Sequence, residues 1–146
     1  MSAKECEERL ENRQIRPTSA RILILRKLSE IEYPVSLLEL ETMLETLDKS
    51  TISRSLAVLL EHHVIHSFED GSGSTKYEIC RSTSEECTGE DRHMHFYCVE
   101  CRRTFCLKGM EVPAIRFPEG YKPLSINYTA KGICPECLRK KRKTAV

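Results

Sequence analysis

The sequence predicts an α+β fold, and three observations carry that reading. Apolar residues recur at helical spacing through three successive segments of the first half. Two runs of strand-like residues, joined by a Gly/Ser loop, then follow. The second half carries two Cys-x-x-Cys pairs among prolines and short strand-like runs. Helices followed by a two-stranded ribbon give an N-terminal winged helix-turn-helix. The cysteine pairs call for a second, small α/β domain stapled by metal.

Each element has a local cause. Glu5 to Arg13 is a short charged helix candidate. Pro17-Thr18-Ser19 starts the next helix, with Thr18 or Ser19 as N-cap, and Ile22, Leu25 and Leu28 then share a face up to about Glu30. Tyr33-Pro34 breaks the chain. Ser36 caps a helix on which Leu37, Leu40, Leu44 and Leu47 recur. Asp48-Lys49-Ser50 is a turn with another cap, and it opens a third amphipathic helix with Ile52, Leu56, Leu59 and Leu60 on one face. Such short helices are marginal alone, so their apolar faces must share one core. Residues 64–68 and 75–80 read as the wing strands, with 69–74 as the hairpin loop. The polar, aperiodic stretch 81–92 reads as a linker, which sets domains at 1–82 and 93–146 with a hinge at 83–92. Beyond it, 93–99 and 104–107 read as short strands around a knuckle, and 122–128 as a last strand. Pro113, Pro118 and Pro123 forbid a long helix between 111 and 124. The tail at 139–143 reads as a solvated or frayed end, with a DNA-binding arm as the alternative.

Bulk properties narrow the class of protein. Of 146 residues, 40% are hydrophobic and 31% charged, as in a soluble globular chain. No apolar run approaches the roughly 20 residues of a membrane helix. The start at Met1-Ser2-Ala3-Lys4-Glu5 offers no apolar signal region, so a cytoplasmic protein without a membrane partner is expected. Net charge is +1, but it divides unevenly: residues 1–80 carry 10 Lys and Arg against 14 Asp and Glu, residues 81–146 carry 13 against 8. An acidic first half binds nucleic acid only if its cations share one face. Eight cysteines in such a chain mean disulfides in a secreted protein, and metal or redox chemistry in a cytosolic one.

The spacing of the cysteines decides in favour of metal. Cys98-Val-Glu-Cys101 and Cys134-Pro-Glu-Cys137 are two knuckles, each able to turn two thiolates towards one ion at about 2.3 Å. The 32 residues between the pairs require a small sheet there. Flanking Arg102, Arg103, Arg139 and Lys140 favour thiolate, and the competing reading is two redox or disulfide pairs. Four protein ligands leave no open position for water, so Zn²⁺ here is structural rather than catalytic.

A second, looser set lies around His93-Met94-His95. Alternate strand residues face one side, so both imidazoles can reach one metal. Cys80 at the end of the wing, His66 on the other wing strand, and Cys106 are the further candidates, followed by Cys87, Glu78 and Glu69. Imidazole with thiolate suits Zn²⁺ better than Fe²⁺ or Mn²⁺, which take more oxygen. A metal joining Cys80 to His93 and His95 would clamp the two domains. The alternative is a pair of ordinary surface histidines.

The third set is Asp48-Lys-Ser-Thr-Ile-Ser-Arg54-Ser-Leu. A recognition helix offers its first turns to the major groove. Thr51, Ser53, Arg54 and Ser55 lie off the apolar stripe, Lys49 and the helix start favour phosphate, and Arg16, Arg21 and Lys27 add backbone contacts. The competing reading is a solvated helix face.

Taken together, these motifs resemble the ferric-uptake-regulator family. The resemblance rests on Arg16-Pro17-Thr18 with Arg21, on Thr51-Ile-Ser-Arg54, on the HxH-x2-CxxC run from His93 to Cys101, and on the Cys134–Cys137 pair. It spans about Leu10 to Leu138. It implies a homodimeric repressor that closes on double-stranded operator DNA near metal-uptake or stress genes when a regulatory metal binds, with residues 93–146 as the dimerisation domain. Cys98, Cys101, Cys134 and Cys137 would hold the structural zinc, and His93 and His95 with wing and hinge ligands the sensing metal.

Several positions depart from the iron-sensing pattern: Met94 replaces an acidic residue, Cys106 stands where a glutamate is usual, and the expected histidines are missing near Pro34 and Ile126. The zinc-sensing branch has a cysteine where Cys80 stands, a wing residue near His66 and the His93/His95 pair, so zinc is the favoured regulatory metal, with iron, manganese or peroxide sensing as alternatives. Ser53 replaces the usual recognition-helix tyrosine, and Pro113 and Pro118 cut short the long dimerisation helix. An enzyme is not expected. Zinc deaminases need H-x-E and P-C-x-x-C, whereas this chain has H-x-H and Ile133 before Cys134. A zinc-stabilised interaction module without operator binding is the remaining rival.

Overall fold

The computed structural model describes residues 1–80, 94–107, 109–123 and 126–144. The chain divides into two compact units: one of Met1–Phe68 with Ser74–Asp91, the other of Glu69–Gly73 with Arg92–Val146. The loop 69–73, grouped with the winged helix in the sequence reading, thus belongs to the second unit. The predicted hinge at 83–92 lies outside the described residues.

The first unit runs α1 (Ala3–Asn12), α2 (Ser19–Glu30), β1 (Val35–Ser36), α3 (Leu37–Met43), α4 (Lys49–Glu61), β2 (Ile65–Glu69, whose last residue belongs to the second unit) and β3 (Thr75–Ile79). Every helix starts on a side-chain cap. Ser2 and Ser36 form capping boxes with Glu5 and Glu39, Thr18 accepts from the Arg21 N–H, and Asp48 accepts from the Thr51 N–H. Two helices also end alike. Gln14 and His63 take left-handed φ values of 59° and 56°. The next residue then donates back to the helix, Ile15 to the Leu10 carbonyl and Val64 to the Leu59 carbonyl, each at 2.9 Å.

Leu10, Ile24, Leu25, Leu28, Val35, Leu40, Ile52, Leu56, Leu59, Val64 and Ile65 fill the core with their neighbours. The strands form a sheet ordered β1-β3-β2, with β1 antiparallel to β3. The two-residue strand β1 was not anticipated. It pairs Ser36 with Lys76, whose ammonium is buried and lies 3.3 Å from Glu39. Glu39 also accepts from the Ser36 N–H at 2.7 Å, so one carboxylate caps α3 and neutralises a buried cation.

The second unit holds β4 (Met94–Cys98), β5 (Thr104–Leu107), β6 (Thr129–Gly132) and α5 (Pro135–Thr144). Its sheet is ordered β5-β4-β6, antiparallel between β4 and β5 and parallel between β4 and β6. Two expectations are corrected here. The last strand is Thr129–Gly132; of the expected 122–128, the described residues 122–123 and 126–128 form no strand, and Pro123 lacks the N–H a ladder needs. The tail at 139–143 is helical rather than frayed: Pro135 starts α5 without losing a needed N–H, and Glu136 pairs with Lys140 one turn on. The described residues 109–123 contain no helix or strand, in keeping with their three prolines.

Candidate metal centres and nucleic-acid face

The parallel pairing of β4 with β6 builds the four-cysteine centre. Parallel strands end on the same edge, so the knuckle after each strand arrives beside the other. Cys98 stands opposite Gly132, Val99 N–H donates to the Gly132 carbonyl at 2.9 Å, and Cys134 follows two residues later. Gly132 suits this place because a Cβ there would lie 2.8 Å from the Phe96 ring. The first knuckle closes through Arg102 N–H to the Cys98 carbonyl at 2.9 Å, with Arg102 at a left-handed φ of 60°. The Sγ atoms of Cys98, Cys101, Cys134 and Cys137 all lie within 4.8 Å of one another.

The electrostatics of this centre favour a bound cation. Burial pushes the Cys98 thiol up, but N–H groups of Cys101, Cys134 and Glu100 outweigh it and bring the thiol down to about 6. Cys137 is driven the other way, up to about 12, first by the Cys134 side chain and then by burial and the other thiols. Burial likewise raises Cys101. Cys98 is shifted towards the thiolate, and the burial and thiol crowding that oppose ionisation of Cys101 and Cys137 are what a divalent ion relieves. Four convergent thiols are the donor set of a closed tetrahedral zinc site.

Within the second unit, the structure brings two of the residues predicted for a sensing site together. His95 on β4 stands opposite Cys106 on β5, and their ligand atoms lie within 4.8 Å of each other. His95 is buried and Cys106 half-buried. Cys80 and His66 belong to the first unit. Cys80 is fully buried at the end of β3, and its carbonyl accepts from the Arg9 guanidinium. His66 is half-buried on β2, Glu78 half-buried on β3, and Glu69 exposed. His93 and Cys87 lie outside the described residues.

Sequence reasoning missed Asp70. Read as a hairpin-loop residue, it is fully buried; it accepts from the Thr104 hydroxyl and, at 2.9 Å, from the Ser72 N–H. Thr104 lies on the same face of the sheet as His95 and Cys106, because residues two apart on a strand share a face. An Asp before Gly signals a turn, and nothing local announces its long-range partner.

On the predicted recognition helix α4, Ile52, Ser55, Leu56 and Leu59 form the buried stripe. Ser55, expected to be free for DNA, is therefore not available: it is three residues from Ile52 and four from Leu59, on the core side. Lys49, Ser53 and Arg54 are exposed and Thr51 is half-buried. Arg16 is exposed ahead of α2, and its carbonyl accepts from the Arg21 guanidinium at 2.7 Å. Lys27 is half-buried on α2 and lies 3.4 Å from Glu30.

The sequence model of the ferric uptake regulator family matches residues 12–117. The chain belongs to that family. Its members are metal-responsive, DNA-binding regulators of transcription rather than enzymes. The match ends before Cys134, so the second cysteine pair is a feature of the structure beyond the matched span.

Solved structures share the fold. A zinc uptake regulator complexed with zinc and DNA is 20% identical with a TM-score of 0.65, over 96% of this chain and 95% of that one. The Helicobacter pylori ferric uptake regulator is 16% identical with a TM-score of 0.60, over 94% and 95%. A zinc-bound manganese uptake regulator is 19% identical with a TM-score of 0.62, over 88% and 98%. No curated protein sequence matches the chain. Among the described residues, no helix is long and apolar enough to cross a membrane.

Proposed function

We propose that this protein is a zinc-responsive, homodimeric repressor that binds operator DNA and governs metal-uptake or homeostasis genes. The observation that favours zinc over iron or manganese is the cross-strand pair of His95 and Cys106. An imidazole beside a thiol is a soft donor pair, and the oxygen-preferring metals are poorly served by it. His93, Cys80 and His66 are the remaining candidate ligands in this reading. Cys98, Cys101, Cys134 and Cys137 would hold a separate structural zinc, supplying the cross-link that a unit with few buried apolar side chains needs.

Lys49, Thr51, Ser53 and Arg54 on α4, with Arg16 and Arg21, would face the operator. Arg54 suits a guanine edge or a phosphate, and Lys49 at the helix start suits a phosphate. Val99, Met110, Ile115, Phe117, Tyr121 and Leu138 expose apolar surface on the second unit, which a second copy of the chain would cover. Metal that binds the DNA-competent form more tightly than the other shifts the population towards repression.

The test is metal-dependent DNA binding. Protein treated with a chelator mild enough to spare the four-cysteine zinc is titrated against its own promoter DNA, with zinc, ferrous iron or manganese added separately under anaerobic, reducing conditions. Zinc alone should restore tight, sequence-specific binding. Restoration by iron or manganese instead would overturn the zinc assignment, and sequence-independent binding under every condition would overturn the repressor reading.

A further inference from the structure

Helix α5 carries a patch that neither the metal centre nor the recognition helix uses. Its sequence, PECLRKKRKT, places five cations in succession at 139–143. At 3.6 residues per turn, Cys137 and Lys141 share a side with Cys134, which immediately precedes the helix. That side faces the knuckles: Lys141 pairs with Glu100 of the first knuckle at 2.6 Å, and the helix's first backbone bond, Leu138 N–H to the Cys134 carbonyl at 2.9 Å, starts it directly on the second cysteine pair. Arg139, Arg142 and Lys143 fall together on the opposite side, all exposed. Lys140, beside them, pairs with the exposed Glu136. The helix thus begins at the second cysteine pair and turns a row of exposed cations away from the cysteines.

We propose that this outer face of α5 is a phosphate-binding surface for duplex DNA, in which Arg139, Arg142 and Lys143 contact the backbone without reading bases. Charge complementarity favours the assignment. A guanidinium forms paired hydrogen bonds to phosphate oxygens, and the face offers two of them beside an ammonium. A membrane surface fits less well, because an interfacial helix buries a broad apolar side, whereas α5 turns its other side to the cysteine knuckles and has Leu138 as its one large apolar residue. The choice of DNA over RNA rests on the repressor reading above. The surface itself is distinct from the recognition helix and would add sequence-independent affinity.

The experiment uses the full-length, zinc-loaded protein and a DNA duplex lacking any operator sequence. Affinity is measured across 50–200 mM salt for the wild type, for Arg139→Gln/Arg142→Gln/Lys143→Gln, for the charge-keeping Arg139→Lys/Arg142→Lys/Lys143→Arg, and for Arg142→Gln/Lys143→Gln, which spares the first turn. Each neutralised phosphate contributes about 0.9 to the slope of log affinity against log salt. The triple Gln variant should flatten that slope by about 2–3 per bound chain and weaken binding at 50 mM salt at least about tenfold. The double variant should show about two thirds of the slope change, and the charge-keeping variant should match the wild type. Unchanged slopes in both Gln variants, at wild-type zinc content, would overturn the proposal. So would a loss confined to single-stranded RNA or phosphatidylserine vesicles. Arg54→Ala measured on promoter DNA separates the two readings: lost operator preference with an unchanged α5 slope leaves the repressor standing and removes this surface.

Discussion

Replacing Cys98 with serine takes one sulfur out of the four-cysteine centre and should dismantle the second unit while sparing the first. Structural zinc sites contribute about 10–16 kcal/mol of apparent binding free energy at neutral pH. An even share for each of four thiolates is on the order of 3 kcal/mol, about a hundredfold in Kd. Little else holds this unit. Its buried residues, among those described, are Asp70, His95, Cys98, Thr104 and Cys134, with no Val, Leu, Ile, Phe or Met. Each buried Leu or Ile contributes about 1.5–3 kcal/mol, and the first unit has several while the second has none among its described residues. Zinc affinity measured against a competing chelator should fall at least about a hundredfold in Cys98→Ser. Limited proteolysis after metal removal should cut within 94–144 and leave the helical unit intact. Cys6→Ala, which changes a buried cysteine of the first unit, should leave zinc affinity unchanged. A metal-free Cys98→Ser protein whose second unit still resists protease would refute the reasoning.

Other sites yield independent tests. Arg54→Ala should weaken promoter binding by about 10–100-fold, the worth of one good base contact, with unchanged thermal stability; equal operator affinity by fluorescence anisotropy would remove Arg54 from the interface. Cys106→Ala should abolish zinc-stimulated DNA binding while the protein keeps its structural zinc, read as one retained metal equivalent per chain. Glu39→Ala should destabilise the first unit by about 2 kcal/mol in urea unfolding, since it removes a capping box and strands the Lys76 ammonium. Glu39→Gln, which keeps an acceptor for the Ser36 N–H, should lose less; equal losses would mean that the capping hydrogen bond contributes nothing, and no loss in Glu39→Gln would mean that the ion pair contributes nothing.

Much of the first unit was legible because its signals are local. Thr18, Ser36 and Asp48 each precede a helical apolar pattern, and each caps the helix it announced. The long-range pairings were not legible. A two-residue strand such as Val35–Ser36 has no periodicity to detect, and Asp70 gives no sign of Thr104. Ser55 was misplaced by its chemistry, since its spacing from Ile52 and Leu59 already put it on the core stripe. The cationic tail was read in part: its charge placed 139–143 in solvent, where they lie, while Pro135 and the Glu136–Lys140 spacing pointed to a helix rather than a frayed end. For the metal centre, the cysteine spacing gave the donor set, but only the parallel register of β4 and β6 explains how pairs so far apart in sequence meet.

The path of the chain through loop 69–73 bears on how the protein can be dissected genetically. The backbone leaves the first unit after Phe68 and re-enters it at Ser74. A gene fragment beginning at residue 93 would therefore encode the three strands and α5 but omit Asp70, leaving the Thr104 hydroxyl without its carboxylate. The complementary amino-terminal fragment would carry Asp70 away from its partner. Splitting the gene of this regulator between 81 and 93 would thus yield one incomplete module and one bearing a borrowed loop, and swapping such halves between homologues would need to exchange 69–73 as well.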